Sequence, residues 1–198
     1  MSTPQVSIPE MINQSRDIMT NPSVETFERY ERHGNMTNAA IYVGIAAIIS
    51  GLLGWLASLI LPRSSDSPGF FGIAIGIVIG FFIFTGMVFY IGRNIAEGTG
   101  TWDEVAYTFS LFAAPLAIVG GLLNFVVAFL RLIPVLGSLF WLLGGLVSLL
   151  ILLVQAYFAY IAVQSSMNIR DQGRAITTLG LAVVGAFIVQ FVITMLIL

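Results

Sequence analysis

The chain has 198 residues, of which 58% are hydrophobic and 9% are charged, and its formal net charge is −2. A soluble domain carries roughly 25% charged residues, so most of this chain must be solvated by lipid. The lack of cysteine and the single histidine exclude disulfide frameworks, thiolate chemistry and most transition-metal sites, and the near-neutral charge gives no basic face for nucleic acid.

The N-terminal region, residues 1–37, is polar or mixed and has no apolar core of a signal peptide. Apolar side chains recur there at helical spacing, which predicts a short amphipathic helix. Its apolar face comprises Ile8, Met11, Ile12, Ser15, Ile18 and Met19. Asn21-Pro22 predicts an N-cap with proline at the first position of a second helix, which runs through Arg32 and stops at Gly34. We expect both helices to lie on the bundle or the headgroups, with partner binding as the alternative.

Five uncharged runs follow, each long enough to cross roughly 30 Å of hydrocarbon. They cover about residues 38–61, 69–92, 105–130, 135–163 and 175–198. The expected fold is therefore an all-α integral membrane protein, a five-transmembrane-helix bundle over residues 38–198 that follows N-terminal interfacial helices. The weakest break is Arg131-Leu132-Ile133-Pro134, without which the third and fourth runs would form a hairpin that does not fully cross.

Arginine predicts the orientation, because cytoplasmic loops carry the excess of positive side chains. The arginines on the N-terminal side are Arg29, Arg32, Arg93, Arg170 and Arg174, and those on the opposite side are Arg63 and Arg131. We therefore expect a multi-pass protein of the cell (inner or plasma) membrane, with its N-terminus in the cytoplasm and its C-terminus outside.

Small residues recur every four positions in the second and third runs. The two ridges are Gly72, Gly76 and Gly80, and Ala113, Ala117 and Gly121. Small side chains let membrane helices approach closely and gain dispersion contacts. We expect these ridges to pack within the chain, and packing against a second copy is the alternative.

The five runs contain no Asp, Glu, Lys, Arg or His, which weighs against ion-coupled transporters and proton relays. Channels that use backbone carbonyls or polar rings remain open. Asn124 and Gln155 are the leading intramembrane polar residues, and a structural hydrogen bond worth roughly 0.6 to 2 kcal/mol is the expected role for each. We expect no catalytic residue, metal site or cofactor.

Thr101 and Glu104 have the spacing of a capping box, with Thr101 as the N-cap of the third membrane helix. The neighbouring Gly98-Thr99-Gly100-Thr101 is not interpreted as a phosphate loop, because no strand precedes it and the chain has no lysine.

Three segments occur in an order that resembles the YIP family of five-span membrane proteins, which is named for binding Ypt/Rab-type GTPases. They are Asn21-Pro22 with Phe27, residues 98–105 with Tyr107 and Pro115, and residues 164–175, so the resemblance covers about residues 20–195. The acidic tyrosine-glycine-proline motif of the eukaryotic branch is missing from the sequence, so the resemblance is closer to the bacterial branch. It implies candidate motif residues at Asn21, Pro22, Gly98, Gly100, Thr101, Glu104, Tyr107 and Pro115.

Together these features predict a non-enzymatic membrane-organising or adaptor protein. Its expected partners are membrane lipid, with other membrane proteins or a homo-oligomer left open, and no nucleic acid. The alternative is a small-molecule permease or channel with a polar pocket around Asn124, Gln155 and Pro115.

Overall fold

The structure is a computed structural model that describes residues 6–60, 69–133 and 137–197. Its elements are α1 (Ile8–Thr20), α2 (Val24–Tyr30), α3 (Met36–Ile60), α4 (Phe70–Asn94), α5 (Trp102–Leu130), α6 (Gly137–Ser166) and α7 (Gln172–Ile197). The described residues contain no strand, and α3 to α7 are each long and apolar enough to cross a membrane. The expected all-α, five-helix fold is confirmed.

The break between the third and fourth runs separates two long helices. α5 has 29 residues and α6 has 30 residues. At about 1.5 Å per residue each is about 44 Å long, which exceeds the roughly 30 Å of a hydrocarbon core. Neither is therefore a short hairpin arm. Pro134 itself, like the predicted loop at residues 62–68, lies outside the described residues.

Ser7 is the N-cap of α1, and its Oγ accepts a hydrogen bond of 3.4 Å from the Glu10 amide. Its inner face differs from the predicted one. Met11, Ser15 and Ile18 are buried as expected, but Gln14 is buried beside them and Ile12 is 54% exposed. The face is rotated because Gln14 has a hydrogen-bond partner on α5, which the apolar pattern alone does not reveal.

The predicted start of the second helix is wrong. Ser23 is the N-cap of α2, and its Oγ accepts a hydrogen bond of 3.2 Å from the Thr26 amide. Asn21 instead follows the end of α1, where its Nδ2 donates to Asp17 Oδ1 at 3.2 Å, and Pro22 lies between the two helices. The Ser23 hydroxyl satisfies an amide that would otherwise be orphaned at the helix start, so α2 begins later than Asn21-Pro22 suggests. It also ends at Tyr30, before Arg32.

The five long helices alternate in direction and give the bundle two ends. The N side carries α1, α2 and residues 95–101 and 167–171, whereas the far side carries residues 131–133. Burial is concentrated at the N side. In α5 it covers most of residues 105–116 and then only Ala128, and in α6 it covers Gly144 and most of residues 158–166.

Helices α6 and α7 present many large apolar side chains to the surroundings, such as Leu150 and Phe191, which is 61% exposed. Such surfaces are unfavourable in water but are solvated by hydrocarbon in a bilayer. The outer faces of these helices are therefore suited to lipid contact.

Candidate functional site

We use the term N-side cap for α1, α2 and residues 31–35, which pack against the N side of the bundle. Two buried hydrogen bonds hold α1 there. Tyr107 of α5 donates from its hydroxyl to Gln14 Oε1 at 2.6 Å, and the Ser15 and Tyr42 hydroxyls share a hydrogen bond of 3.0 Å. Buried polar groups strongly favour having partners, so these bonds fix both the position and the rotation of α1.

Phe27 anchors α2 to the bundle. Its side chain is fully buried, and its ring centroid lies 6.2 Å from that of Phe112 and 6.3 Å from that of Phe158. Aromatic pairs at these separations add to the free energy of burial. The second helix of the cap is therefore held by packing against both α5 and α6.

Glu31, just after α2, is a carboxylate that is only 4% exposed. Its Oε2 accepts a hydrogen bond of 2.8 Å from the Ser165 hydroxyl of α6. Burial raises the pKa of Glu31, and the Ser165 bond opposes this rise while the charge of Glu104 adds to it. Arg32 Nε lies 3.6 Å from Glu31 Oε1 and 3.2 Å from Glu104 Oε1. Because Arg32 is largely exposed, these ion pairs contribute little free energy.

Two loops of the N side approach each other backbone to backbone. The Thr99 amide donates to the Met167 carbonyl at 3.0 Å, and a Cβ added to Gly100 would collide with the Ser166 carbonyl. Gly98 is nearly as crowded, since its Cβ would lie 2.9 Å from the Met167 carbonyl oxygen. Both candidate motif glycines are thus required by close contact between the segment before α5 and the segment after α6.

The predicted capping box forms at the start of α5. The Glu104 amide donates to Thr101 Oγ1 at 3.3 Å, and the Thr101 amide donates to Glu104 Oε2 at 2.7 Å. Nearby, Arg174 of α7 donates to Glu97 Oε2 at 2.7 Å, which ties the start of α7 to the same loop.

The remaining motif residues have separate places. The ring of Tyr107 lies against Gly34, where an added Cβ would collide with it. Pro115 lies inside α5, where it cannot donate a backbone hydrogen bond, and Asn21 and Pro22 lie between α1 and α2. The structure therefore brings Gly98, Gly100, Thr101, Glu104 and Tyr107 to the N side, whereas Pro115 is half-buried farther along α5.

A second feature is a cavity of about 1430 Å³ between α3, α4, α5, α6 and α7, which we call the bundle cavity. Asn124 and Gln155 line it, but Pro115 does not. Asn124 Nδ2 donates to the Gly120 carbonyl one turn earlier, at 3.1 Å. Ser50 also lines the cavity; it is 3% exposed and its Oγ has no hydrogen-bond partner among the described residues.

The two small-residue ridges behave differently. Ala113, Ala117 and Gly121 line the cavity, and a Cβ on Gly121 would lie 2.9 Å from Ser50 Cα, so α5 approaches α3 closely there. By contrast, a Cβ on Gly76 or Gly80 would meet no atom within 4 Å.

The expected packing of the α4 ridge within the chain is therefore wrong at Gly72 and Gly76, which are exposed, whereas Gly80 lines the bundle cavity without a close helix contact. The close contact between α3 and α4 instead involves Gly51, where a Cβ would lie 3.2 Å from Ala74 Cβ. Ala47 lies four positions before Gly51, and this spacing of two small residues is the signal in the sequence that could have identified the contact. Within the described residues, no three His, Asp or Glu side chains form a group that could hold a metal ion.

Comparison with known proteins gives one positive result. No curated protein and no solved structure shows a significant match to the chain. The model of the Yip1 domain matches residues 16–193, which include most of the N-side cap and all five long helices to within a few residues of the end of α7. The chain therefore belongs to the Yip1 domain family.

Proposed function

We propose that this protein is a non-enzymatic membrane organiser or adaptor, which acts through contacts with bilayer lipid and with other membrane proteins. The observation that carries the proposal is the fixed N-side cap. Buried bonds from Tyr42, Tyr107 and Ser165 hold it to α3, α5 and α6. A segment held in this way offers one preformed surface, whereas a free arm would have to be ordered at each encounter.

The outer side of the cap is suited to polar contacts. Glu25, Glu28 and Arg29 of α2 are exposed there, and Ile12 of α1 adds an exposed apolar side chain. We place this surface in the cytoplasm of a bacterial cell, with the C-terminus outside, because six of the eight arginines belong to N-side segments.

A second candidate function, a small-molecule permease, is favoured by the bundle cavity and by the amides of Asn124 and Gln155 in its lining. Flux measurements on proteoliposomes distinguish the two functions. A solute-specific flux would support the permease. It would contradict the role of membrane organiser or adaptor, which we call the contact role, as the main activity.

The contact role is tested by photocrosslinking from neighbouring positions of α1 in intact membranes. A photoreactive residue at Ile12, which is 54% exposed, is expected to capture membrane proteins or lipid. The same residue at Met11, which is fully buried, is the matched control and should react only within the chain. Adding Glu25→Lys and Glu28→Lys should remove the protein adducts from Ile12. Equal adducts from Met11 and Ile12, or none from Ile12, would contradict the proposal.

A further inference from the structure

The walls of the bundle cavity are mostly aliphatic and aromatic. Side chains from all five long helices line it, and at about 1430 Å³ it is larger than the roughly 300–1,000 Å³ of sites for drug-sized ligands. An empty apolar space loses the dispersion contacts of its lining atoms. In a membrane the nearest material that can restore these contacts is the acyl chains of lipid.

The far side of the cavity has a different chemistry. A smaller cavity of about 430 Å³ is lined by Arg131, Gly137, Ser138 and Trp141. Arg131 and Trp141 also line the bundle cavity, so the two spaces adjoin. We call the smaller cavity the mouth of the bundle cavity. Tryptophan favours the headgroup level of a bilayer, which indicates that this mouth lies near the lipid phosphates.

Arg131 is available to bind an anion at this mouth. None of the four ion pairs among residues 6–60, 69–133 and 137–197 involves it. A guanidinium has five donors in a planar fork that matches the oxygens of a phosphate. The hydroxyl of Ser138 adds a further donor beside it.

Polar groups also occur between the mouth and the apolar part of the bundle cavity. Asn124 lies two turns before Arg131, about 10 Å along the axis of α5, and the amide of Gln190 lines the same cavity. The Ser50 hydroxyl lacks a partner within the described part of the chain. Hydroxyl and amide groups at this depth can donate to the ester oxygens that follow the phosphate in a glycerolipid.

We propose that the bundle cavity binds one anionic diacyl lipid of the bilayer, with its acyl chains between α5, α6 and α7 and its phosphate on Arg131. A polar solute would leave most of the walls without matching contacts, and an uncharged diacylglycerol, which has no phosphate, would leave the guanidinium unpaired. A molecule that is apolar along most of its length and anionic at one end matches both parts. The site is at the end opposite the N-side cap, so its test does not depend on the contact role.

The charge at the mouth is tested on the full-length protein by native mass spectrometry. Dioleoyl phosphatidylglycerol and dioleoylglycerol, which has the same acyl chains but no phosphate, are offered in competition after delipidation. Wild type should retain the anionic lipid about tenfold better, the effect expected of one charge-assisted contact. Arg131→Gln should bring the ratio close to one, and Arg131→Lys should keep part of it. Arg170→Gln, an exposed arginine at the N side, is the charge-matched control and should keep the ratio of wild type.

Binding of the acyl chains in the bundle cavity is tested by filling the cavity with larger side chains. Gly120 and Gly145 line the cavity, and a Cβ on either meets no atom within 4 Å, so Gly120→Leu with Gly145→Leu adds bulk without a clash at the backbone. This variant should lower the retention of both lipids several-fold. Gly180→Leu is the control, because Gly180 has the same open surroundings but is not part of the cavity lining.

Three results would overturn the proposal. They are an unchanged lipid ratio in Arg131→Gln, equal retention by the filled variant and the Gly180→Leu control, and equal retention of the two lipids by wild type. The last result would indicate a cavity that ordinary bilayer lipid fills without selection.

Discussion

The two ends of the bundle hold their helices by different means. At the N side, Phe27, Tyr107 and Met167 are buried side chains that connect the cap and loops to the membrane helices. At the far side, α5 has a single buried residue beyond Leu116, and the space between the helices is a cavity. Helices in lipid have no hydrophobic force between them, so they stay together where packing and hydrogen bonds are made.

Stability is therefore concentrated at the N side of the bundle, and open space between the helices is concentrated at the far side. Local stability follows contact density, so substitutions at the N side should unfold or detach elements. Equivalent substitutions at the far side should change what the cavity holds and leave stability nearly unchanged. Unfolding in detergent and docking of the N-side cap are the two measurements that test this division.

The largest effect is expected at the aromatic anchor of the cap. Phe27→Ala removes a fully buried ring that packs against both Phe112 and Phe158, and a loss of about 3–5 kcal/mol in the free energy of unfolding follows from the cavity left behind. Phe187→Ala, at a side chain that is 74% exposed on α7, is the matched control and should change stability little. Similar losses in the two variants would contradict the division between the two ends.

The contact between the N-side loops comes next. In Gly100→Ala the new methyl group would collide with the Ser166 carbonyl, and the backbone of one loop has to move. We expect a loss of about 1–3 kcal/mol, the usual range for overpacking, in thermal or denaturant unfolding.

Gly120→Ala is the control for this substitution, because its methyl group meets no atom within 4 Å. Replacing glycine within a helix should stabilise by roughly 0.5–1 kcal/mol. If Gly100→Ala is as stable as Gly120→Ala, the two loops do not approach each other as closely as the structure indicates.

Features that depend on composition and local spacing could be predicted from the sequence. The long apolar runs identify α3 to α7, and the capping box at Thr101 and Glu104 depends on a separation of three residues. The start of α2 was missed although Ser23 is itself a good N-cap residue. Asn21-Pro22 offered an equally good local signal two residues earlier, and only tertiary packing decides between two such candidates.

Features that join distant parts of the chain could not be predicted. Tyr107 and Gln14 are 93 positions apart, and Ser165 and Glu31 are 134 positions apart. No pattern within one helix indicates such pairs. The spacing of Gly72, Gly76 and Gly80 likewise indicates a helix face without side chains, but it does not indicate what packs on that face. Gly100, in contrast, is crowded by a loop that lies more than sixty residues later in the chain.

An intermediate effect is expected from the bond between α5 and α1. Tyr107→Phe leaves the buried Gln14 Oε1 without its donor, which should lower the free energy of unfolding by about 1–3 kcal/mol. Adding Gln14→Met removes the unpaired acceptor, so the double variant should lose less than the sum of the single variants. Strict additivity in this double-mutant cycle would show that the two side chains do not interact.

The smallest effect is a dependence of cap docking on pH, through Glu31. Burial raises the pKa of this carboxyl above its ordinary value, so the docked state binds more protons than the undocked state. The stability of docking should therefore be greatest below the ordinary pKa of a glutamate and should fall as pH rises from there through the raised pKa. A spin-label distance between α2 and α6, or hydrogen exchange in α2, measured across this range would report the change.

The conservative variant Glu31→Gln distinguishes the titration of Glu31 from a general effect of pH on docking. Its amide keeps the shape of the side chain and can still bond to Ser165 Oγ, but it does not titrate. The pH dependence of docking should disappear, and docking at neutral pH should be slightly tighter than in wild type. A pH dependence that persists in Glu31→Gln would assign it to another group, and a fall in stability toward acid pH in wild type would show that the carboxylate is favoured by docking. Because Glu31 is at the N side, neither outcome should alter lipid retention at Arg131.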